Sequence, residues 1–130
     1  MKDRILVVED DPRNMRLIEM TLRAKNYTLL KATDGEEALD MAVSERPDLI
    51  IMDIRLPKMN GLEVTRKLRE MPSLSQIPII GVTANAMKGD KEKVLESGCD
   101  AYLSKPINTR ELPGMIAKML SQTEEDNPKP

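Results

Sequence analysis

Short runs of apolar residues recur along the chain, and each run is bounded by polar or turn-forming residues. A run of about four to eight apolar residues fits a strand that is buried on both faces of a parallel sheet. The second run alternates less cleanly and contains Lys31, which indicates a strand at the sheet edge. The predicted strands are residues 5–8, 27–33, 48–53, 78–83 and 101–104.

The segments between these runs carry apolar residues at helical spacing. Met15, Ile18 and Leu22 recur at intervals that place them on one face of a helix. Asp11 is predicted to cap this helix rather than to bind a ligand, and Thr109 is the predicted N-cap of the last helix. The predicted helices are residues 14–25, 36–44, 62–71 and 88–97, followed by one that begins after residue 109.

Five strands alternate with five helices through short connections, which predicts a single doubly wound α/β domain with a parallel sheet. A chain of 130 residues is long enough to bury the core of one such domain. We place the domain at residues 1–122. Residues 123–130 are polar, acidic and proline-flanked, so we expect them to form a disordered tail.

The charged residues nearly cancel, with 20 Lys and Arg against 22 Asp and Glu. A net charge of −2 provides no general attraction to nucleic acid, and no apolar run is long enough to cross a membrane. The single cysteine, Cys99, cannot form an internal disulfide, which fits a reducing compartment. We therefore expect a soluble cytoplasmic protein that binds neither nucleic acid nor a membrane.

The chain contains no histidine. This absence excludes histidine-based catalytic triads, histidine metal ligands and a histidine phosphodonor within these residues. Chemistry at a site in this chain has to rely on carboxylates, hydroxyls and amines.

Polar residues with reactive side chains stand at the ends of four predicted strands. Glu9 and Asp10 follow the first strand, Asp53 ends the third, Thr83 ends the fourth and Lys105 follows the fifth. The carboxyl ends of parallel strands share one edge of the sheet, where open α/β sheets bind their ligands. We therefore expect these five side chains to meet at one site.

The expected site combines three carboxylates with one ammonium group and one hydroxyl group. Closely spaced carboxylates repel one another unless a cation holds them. Oxygen ligands without histidine or cysteine suit a hard ion such as Mg²⁺. Lys105 and Thr83 can stabilise the negative charge of a transferring phosphoryl group, and a carboxylate that attacks phosphorus forms an acyl phosphate.

The motifs at the strand ends stand in the order of one known family, as Glu9-Asp10, Asp53, Thr83-Ala84 and Lys105-Pro106. In these motifs, residues 4 to about 121 resemble the receiver domain of two-component response regulators, the CheY-like superfamily. Residues 82–107 (VTANAMKGDKEKVLESGCDAYLSKPI), together with residues 52–57 and Gly61, resemble DivK-like single-domain regulators and the receivers of hybrid kinases. The resemblance implies a flavodoxin-like (βα)5 domain with strand order 2-1-3-4-5.

By this resemblance, Asp53 would accept a phosphoryl group from a phosphohistidine on a separate histidine kinase or histidine phosphotransfer protein. Asp10, Asp53 and the backbone carbonyl of Arg55 would bind Mg²⁺, and Glu9 would act through a water molecule. The chain would be a single-domain signalling switch rather than an enzyme, and it would catalyse only its own Mg²⁺-dependent phosphorylation and dephosphorylation.

The resemblance also implies how the signal leaves the site. Thr83 and Lys105 would contact the phosphoryl group, and Ala84 would leave room for its approach. Tyr102 would be the switch aromatic, which turns inward when Thr83 moves toward the phosphate. The peptide bond before Pro106 would be cis. A downstream target protein would bind the face formed by the fourth helix, the fifth strand and the fifth helix.

The predicted fourth helix has only Met87, Val94 and Leu95 to bury among many charged residues. A solvated helix face is the ordinary interpretation of such a segment. The sharper hypothesis is that this helix is the most weakly held and the easiest to shift, which would place it in the output surface.

Three other functions remain as alternatives. Phosphatases of the haloacid dehalogenase type also use an aspartate nucleophile, and they have a second aspartate two residues later as the acid/base. This chain has Arg55 at that position. A nucleotide- or flavin-binding carrier would need a glycine-rich loop after the first strand, where Glu9 and Asp10 stand instead. A degenerate receiver that serves only as an interaction module would lack some of the five site positions, all of which are filled.

Overall fold

The computed structural model describes residues 3–84 and 90–126, in which strands and helices alternate strictly. Every predicted element is present, and most boundaries lie within about two residues of the predicted ones. In chain order the elements are β1 (Arg4–Val8), α1 (Pro12–Arg23), β2 (Thr28–Ala32), α2 (Gly35–Glu45), β3 (Leu49–Asp53), α3 (Gly61–Arg69), β4 (Ile79–Thr83), α4 (Asp90–Glu96), β5 (Ala101–Ser104) and α5 (Glu111–Asp126).

The five strands form one sheet in the order β2-β1-β3-β4-β5, and all neighbouring strands are parallel. This is the doubly wound, flavodoxin-like fold that we predict from the sequence, and the strand order agrees as well. β2 lies at an edge of the sheet, as the polar Lys31 within it indicates. β3 lies at the centre, which puts the end of the most apolar run in the middle of the carboxyl edge.

Each central strand sends alternate side chains into two separate apolar cores. Leu49 and Ile51 of β3 belong to a core that includes residues of α1 and α5, whereas Ile50 and Met52 belong to a core with residues of α2, α3 and α4. The helices therefore cover both faces of the sheet. This two-sided burial is the physical reason why the central strands are continuously apolar rather than alternating.

The helix caps agree with the sequence at one helix and correct it at another. Asp11 is the N-cap of α1, as predicted. At α5 the prediction of Thr109 is wrong, because the backbone N–H groups of Arg110 and Glu111 donate to Asn108 Oδ1 at 2.9 and 3.2 Å. A turn at residues 109–110 precedes the helix and brings these amides to the earlier side chain.

In the C-terminal half, the end of α5 differs from the prediction. α5 continues through Asp126, into the segment that we predict to be a tail, because residues 121–126 include no glycine or proline that would stop it. Residues 127–130 lie outside the described residues, and the domain boundary at 122 and the disordered tail stay predictions. The start of the predicted fourth helix and Met87 fall on residues 85–89, which also lie outside the described residues.

None of the helices in the described part of the chain combines the length and the apolar character needed to cross a membrane.

Candidate functional site

The strand order brings the predicted site residues together at the carboxyl edge of the sheet. β1 and β3 are neighbours with Val8 paired to Met52, so the residues after β1 lie beside Asp53. On the other side Asp53 pairs with Val82, which is followed by Thr83 at the end of β4. This juxtaposition follows from the parallel connections, which return every strand end to the same edge.

Three carboxylates form a compact acidic cluster at this edge. Glu9, Asp10 and Asp53 each offer a carboxylate oxygen, and these atoms all lie within 4.8 Å of one another. Glu9 and Asp53 are buried, with 1% and 3% of their surface exposed, whereas Asp10 is exposed. Three oxygen ligands that open to solvent on one side fit a hard divalent cation that keeps part of its hydration shell.

The electrostatics of the cluster support this fit. Burial and, next, the adjacent Asp53 carboxylate raise the pKa of Glu9 to about 7, against the lowering effects of the Asp11 N–H and Lys105. A raised pKa means that a second negative charge beside Asp53 is costly in this environment. A bound cation removes that cost, so the donor set fits a metal ion both in its chemistry and in its charge.

Lys105 lies against the buried carboxylates. Its Nζ donates to Asp53 Oδ2 at 2.9 Å and lies 3.2 Å from Glu9 Oε1. Burial alone would lower the pKa of Lys105, but hydrogen bonding and charge attraction from Asp53 and Glu9 outweigh that effect and raise it. The ammonium group therefore stays charged, and the following peptide bond to Pro106 is cis, in agreement with the resemblance.

Backbone groups orient the two buried carboxylates. The N–H of Arg55 donates to Asp53 Oδ1 at 3.0 Å, and the N–H of Asp11 donates to Glu9 Oε2 at 3.1 Å. Asp53 is therefore held through one oxygen by its own loop and through the other by Lys105. Two neutral or positive donors on one carboxylate keep it in a fixed orientation.

A glycine determines how closely α3 approaches the central aspartate. The N–H of Gly61 donates to the carbonyl of Ile54 at 2.8 Å, which closes the loop between β3 and α3 at its base. A Cβ at Gly61 would lie 2.9 Å from Ile54 Cα and closer still to the carbonyl oxygen of Asp53. The family resemblance includes Gly61 but assigns it no role. In the sequence itself, only the Asn60-Gly61 pair at the start of a helix points to a close backbone approach at this position.

The predicted switch residues lie on β4 and β5, the two strands that follow β3 in the sheet. Thr83 is buried with 1% exposure, and Ala84 after it is exposed. Tyr102 pairs with Gly81 of the neighbouring strand and is half-buried. The Nζ of Lys91 in α4 lies 5.6 Å from the centroid of the Tyr102 ring, within the range of a cation–π contact. Tyr102 therefore links β5 to α4.

Comparison with known protein families identifies the family to which the chain belongs. The sequence model of the response regulator receiver domain matches residues 5–117. This chain belongs to the response regulator receiver family. Receiver domains of this family serve in two-component signalling, where they interact with histidine kinases or phosphotransfer proteins and with downstream targets, in general as switches rather than catalysts.

Curated relatives of this receiver domain include the polar-differentiation response regulators DivK of two Brucella species. The chain is 48% identical to DivK of Brucella anthropi over 108 residues, which cover 83% of this chain and 88% of the relative. It is 47% identical to DivK of Brucella ovis over the same shares of the two chains. The DivK-like resemblance stated from the motifs is thereby confirmed.

Solved structures extend the similarity to the whole domain. The receiver domain of the sensor histidine kinase PA1611 from Pseudomonas aeruginosa PAO1 superposes with a TM-score of 0.87 at 38% identity, covering 93% of this chain and 99% of that one. That structure has a magnesium ion coordinated in its active-site cleft. The chemotaxis response regulator CheY4 of Vibrio cholerae superposes with a TM-score of 0.85 at 28% identity, covering 92% and 99%.

Proposed function

We propose that this receiver domain is a phosphoryl-accepting switch that is modified on Asp53. The observation that carries the proposal is the buried Asp53 carboxylate, which accepts from the Lys105 ammonium group at 2.9 Å and forms the acidic cluster with Glu9 and Asp10. The donor is a phosphohistidine on a histidine kinase or histidine phosphotransfer protein. A carboxylate oxygen of Asp53 forms the new bond to phosphorus, while the bond from phosphorus to the imidazole nitrogen breaks and its electron pair returns to that nitrogen.

Mg²⁺ is the proposed cofactor. Asp10, Asp53 and the backbone carbonyl of Arg55 would hold it directly, and Glu9 would hold it through water. When bound, the ion neutralises the carboxylates and the charge on the phosphoryl oxygens. The magnesium ion in the related Pseudomonas receiver domain and the oxygen-only donor set of this chain support the assignment.

Lys105 and Thr83 are proposed to stabilise the transferring group. The Lys105 ammonium already contacts Asp53, so it lies where negative charge accumulates on the phosphoryl oxygens. Thr83 ends the strand next to β3, and its hydroxyl group serves as a donor to the same oxygens. Ala84 has a small side chain at the exposed position that follows.

The phosphoryl group is proposed to shift an existing equilibrium between two surfaces of the domain. It adds about −1.5 to −2 units of charge, which attract Thr83 and Lys105 and allow Tyr102 to turn inward. The face of α4, β5 and α5 then binds a downstream target protein. A surface groove of about 350 Å³ lies between β5 and the start of α5 and is lined by Tyr102, Ser104 and Glu111 among others.

The catalytic role of the domain is limited to its own modification. Arg55 stands two residues after Asp53, where a haloacid dehalogenase-type phosphatase would have its proton donor. The domain therefore accelerates only the formation and hydrolysis of its own aspartyl phosphate. We place this exchange in the cytoplasm, in keeping with a single buried cysteine, and we assign no nucleic-acid or membrane partner.

Mass spectrometry with acetyl phosphate as a small-molecule donor tests the proposal. We expect wild-type protein to gain the mass of one phosphoryl group in Mg²⁺ and none in EDTA. The Asp53→Asn variant should gain none under either condition, since an amide does not attack phosphorus. Phosphorylation of the variant at the wild-type rate would refute Asp53 as the acceptor, and multiple turnovers on free phosphate esters would favour the phosphatase alternative.

A further inference from the structure

The tip of the loop between β3 and α3 rests on the first residue of α2, a helix that supplies none of the proposed site residues. A Cβ on Gly35 would lie 2.8 Å from Met59 Cβ and 3.0 Å from Val64 Cγ2, and closer still to the carbonyl oxygen of Met59. Real Cβ atoms do not approach other atoms as closely as the two distances to Met59 require. The contact involves the backbone of Met59, so no change of rotamer can relieve it.

A second contact holds the same part of the loop. Lys58 has a positive φ of 69°, and its Nζ lies 3.6 Å from Asp34 Oδ2. Asp34 is also the N-cap of α2, since its side chain accepts from the N–H of Glu37 at 2.8 Å. The N-cap residue Asp34 thus forms an ion pair with the loop, and Gly35, which has no side chain, leaves room for the loop to approach.

The loop is therefore fixed at two places. At its base, Gly61 lies against the backbone of Asp53 and Ile54, and at its tip, Met59 lies against Gly35. Between these places the loop carries Arg55, whose N–H orients Asp53 and whose carbonyl is a proposed metal ligand. The close approach of the loop explains why a residue without a Cβ stands at the first position of α2.

We propose that Gly35, assisted by Asp34, is a positioning residue of the phosphoacceptor site. It supports the tip of the β3–α3 loop and thereby holds Asp53 and the Arg55 carbonyl in the arrangement that binds the metal ion. The inference rests on the proposed function, because it concerns the same site. The start of α2 thereby controls the metal affinity of a site to which α2 contributes no ligand.

The test compares two helix glycines in the full chain. Gly35→Ala places a methyl group against the loop, whereas Gly114→Ala in α5 places it where no atom beyond the adjoining helix backbone and chain neighbours lies within 4 Å. The first readout needs no metal: hydrogen exchange of the Gly61 amide in EDTA reports the bond to Ile54 at the loop base. The second readout is Mg²⁺ affinity by calorimetric titration, and the third is the phosphorylation rate with acetyl phosphate at saturating Mg²⁺.

We expect Gly35→Ala to speed exchange of the Gly61 amide and to weaken Mg²⁺ binding by about tenfold, as displaced supporting groups do at metal sites. Gly114→Ala should leave all three readouts at the wild-type value. Wild-type exchange and wild-type Mg²⁺ affinity in a folded Gly35→Ala protein would overturn the inference.

A second variant decides the matter if Gly35→Ala fails to fold. Lys58→Gly suits the positive φ at that position and removes the contact with Asp34 from an exposed side chain. We expect it to fold and to bind Mg²⁺ several-fold more weakly, and unchanged affinity would contradict the inference. If the wild-type protein does not become phosphorylated, the proposed function is refuted but this inference is not. The exchange rate of the Gly61 amide and the Mg²⁺ affinity would still measure the effect of α2 on the site.

Discussion

Glu9 is a carboxylate that the fold buries almost completely beside a second carboxylate. Burial and Asp53 together raise the pKa of Glu9 to about 7, from 4.5 in an exposed chain. Below about pH 4.5 Glu9 is protonated in both the folded and the unfolded protein. Between pH 4.5 and 7 the folded protein holds a proton that the unfolded chain has lost, so the metal-free protein becomes less stable as the pH rises through this window.

We predict that Glu9→Gln removes this pH dependence. In EDTA at pH 8, the variant should be more stable than wild type by on the order of 2–3 kcal/mol, because it no longer buries a second negative charge. At pH 4.5 the difference should nearly vanish. Urea unfolding at a series of pH values measures both results, and a wild-type stability that rises between pH 5 and 7 relative to Glu9→Gln would contradict the assignment.

Arg46 ends α2 in a left-handed conformation with φ of 46°, and its side chain is exposed. That conformation costs roughly 1–2 kcal/mol for a residue with a Cβ. Glycine avoids this cost but loses about 0.5–1 kcal/mol through its greater freedom in the unfolded chain. We predict that Arg46→Gly stabilises the protein by about 0.5–1 kcal/mol, as measured by urea unfolding. Arg46→Ala is the control and should bring no gain, and an equal gain would attribute the effect to the arginine side chain.

The two helices of the proposed output face are held very differently. In α4, which spans Asp90–Glu96, Val94 is the one buried side chain among residues 91–96, and Leu95, predicted to be buried, is 39% exposed. Residues 112–120 of α5 bury Leu112, Ile116, Met119 and Leu120. Less buried apolar surface means a lower free energy for local opening.

We therefore predict that the amides of residues 93–97 exchange with solvent at least about tenfold faster than those of residues 115–120. Hydrogen exchange followed by mass spectrometry or NMR measures this difference in a single experiment. The α5 amides are the internal control, because both sets experience the same pH and temperature. Equal protection of the two helices would refute the hypothesis that α4 is the easier element to shift.

The acidic cluster connects the stability of the whole molecule to metal binding. Glu9, Asp10 and Asp53 come from two strand ends, so a cation that binds all three links parts of the chain that are far apart in sequence. A ligand that binds only the folded protein stabilises it by an amount set by its concentration and its dissociation constant. The unfolded chain has no such cluster of oxygens.

We predict that Mg²⁺ at about 100 times its Kd stabilises the protein by about 2.7 kcal/mol and raises its Tm by about 10 °C. Differential scanning calorimetry measures the shift, with NaCl at equal ionic strength as the control for screening. Asp10→Asn removes an exposed ligand without disturbing the core, so its Tm should rise much less in Mg²⁺. An equal rise in the variant would exclude Asp10 as a ligand.

Much of the architecture follows from local patterns. The runs that become β1, β3 and β4 are buried on both faces, and their continuous apolar residues predict this burial. Once the strands are known to be parallel, their carboxyl ends must share an edge, so the meeting of Glu9, Asp53 and Lys105 could be predicted before any distance was known. The family resemblance then supplied the roles, which stay proposals for this chain.

Other features depend on contacts between segments that no local pattern reveals. Asn108 rather than Thr109 caps α5 because a turn precedes the helix, and α5 runs into the predicted tail because polar residues without glycine or proline still support a helix. The role of Gly35 depends on a backbone 24 residues later in the chain lying against it.

The sequence by itself therefore determined the elements, their order and which side chains share an edge, because periodicity and chain connection act over short distances. The tertiary structure alone decided how closely these groups approach one another. It set the 2.9 Å contact between Lys105 and Asp53, the raised pKa of Glu9 and the space that Gly35 leaves for the loop. Such quantities depend on the packing of whole elements against one another, which single-residue preferences do not specify.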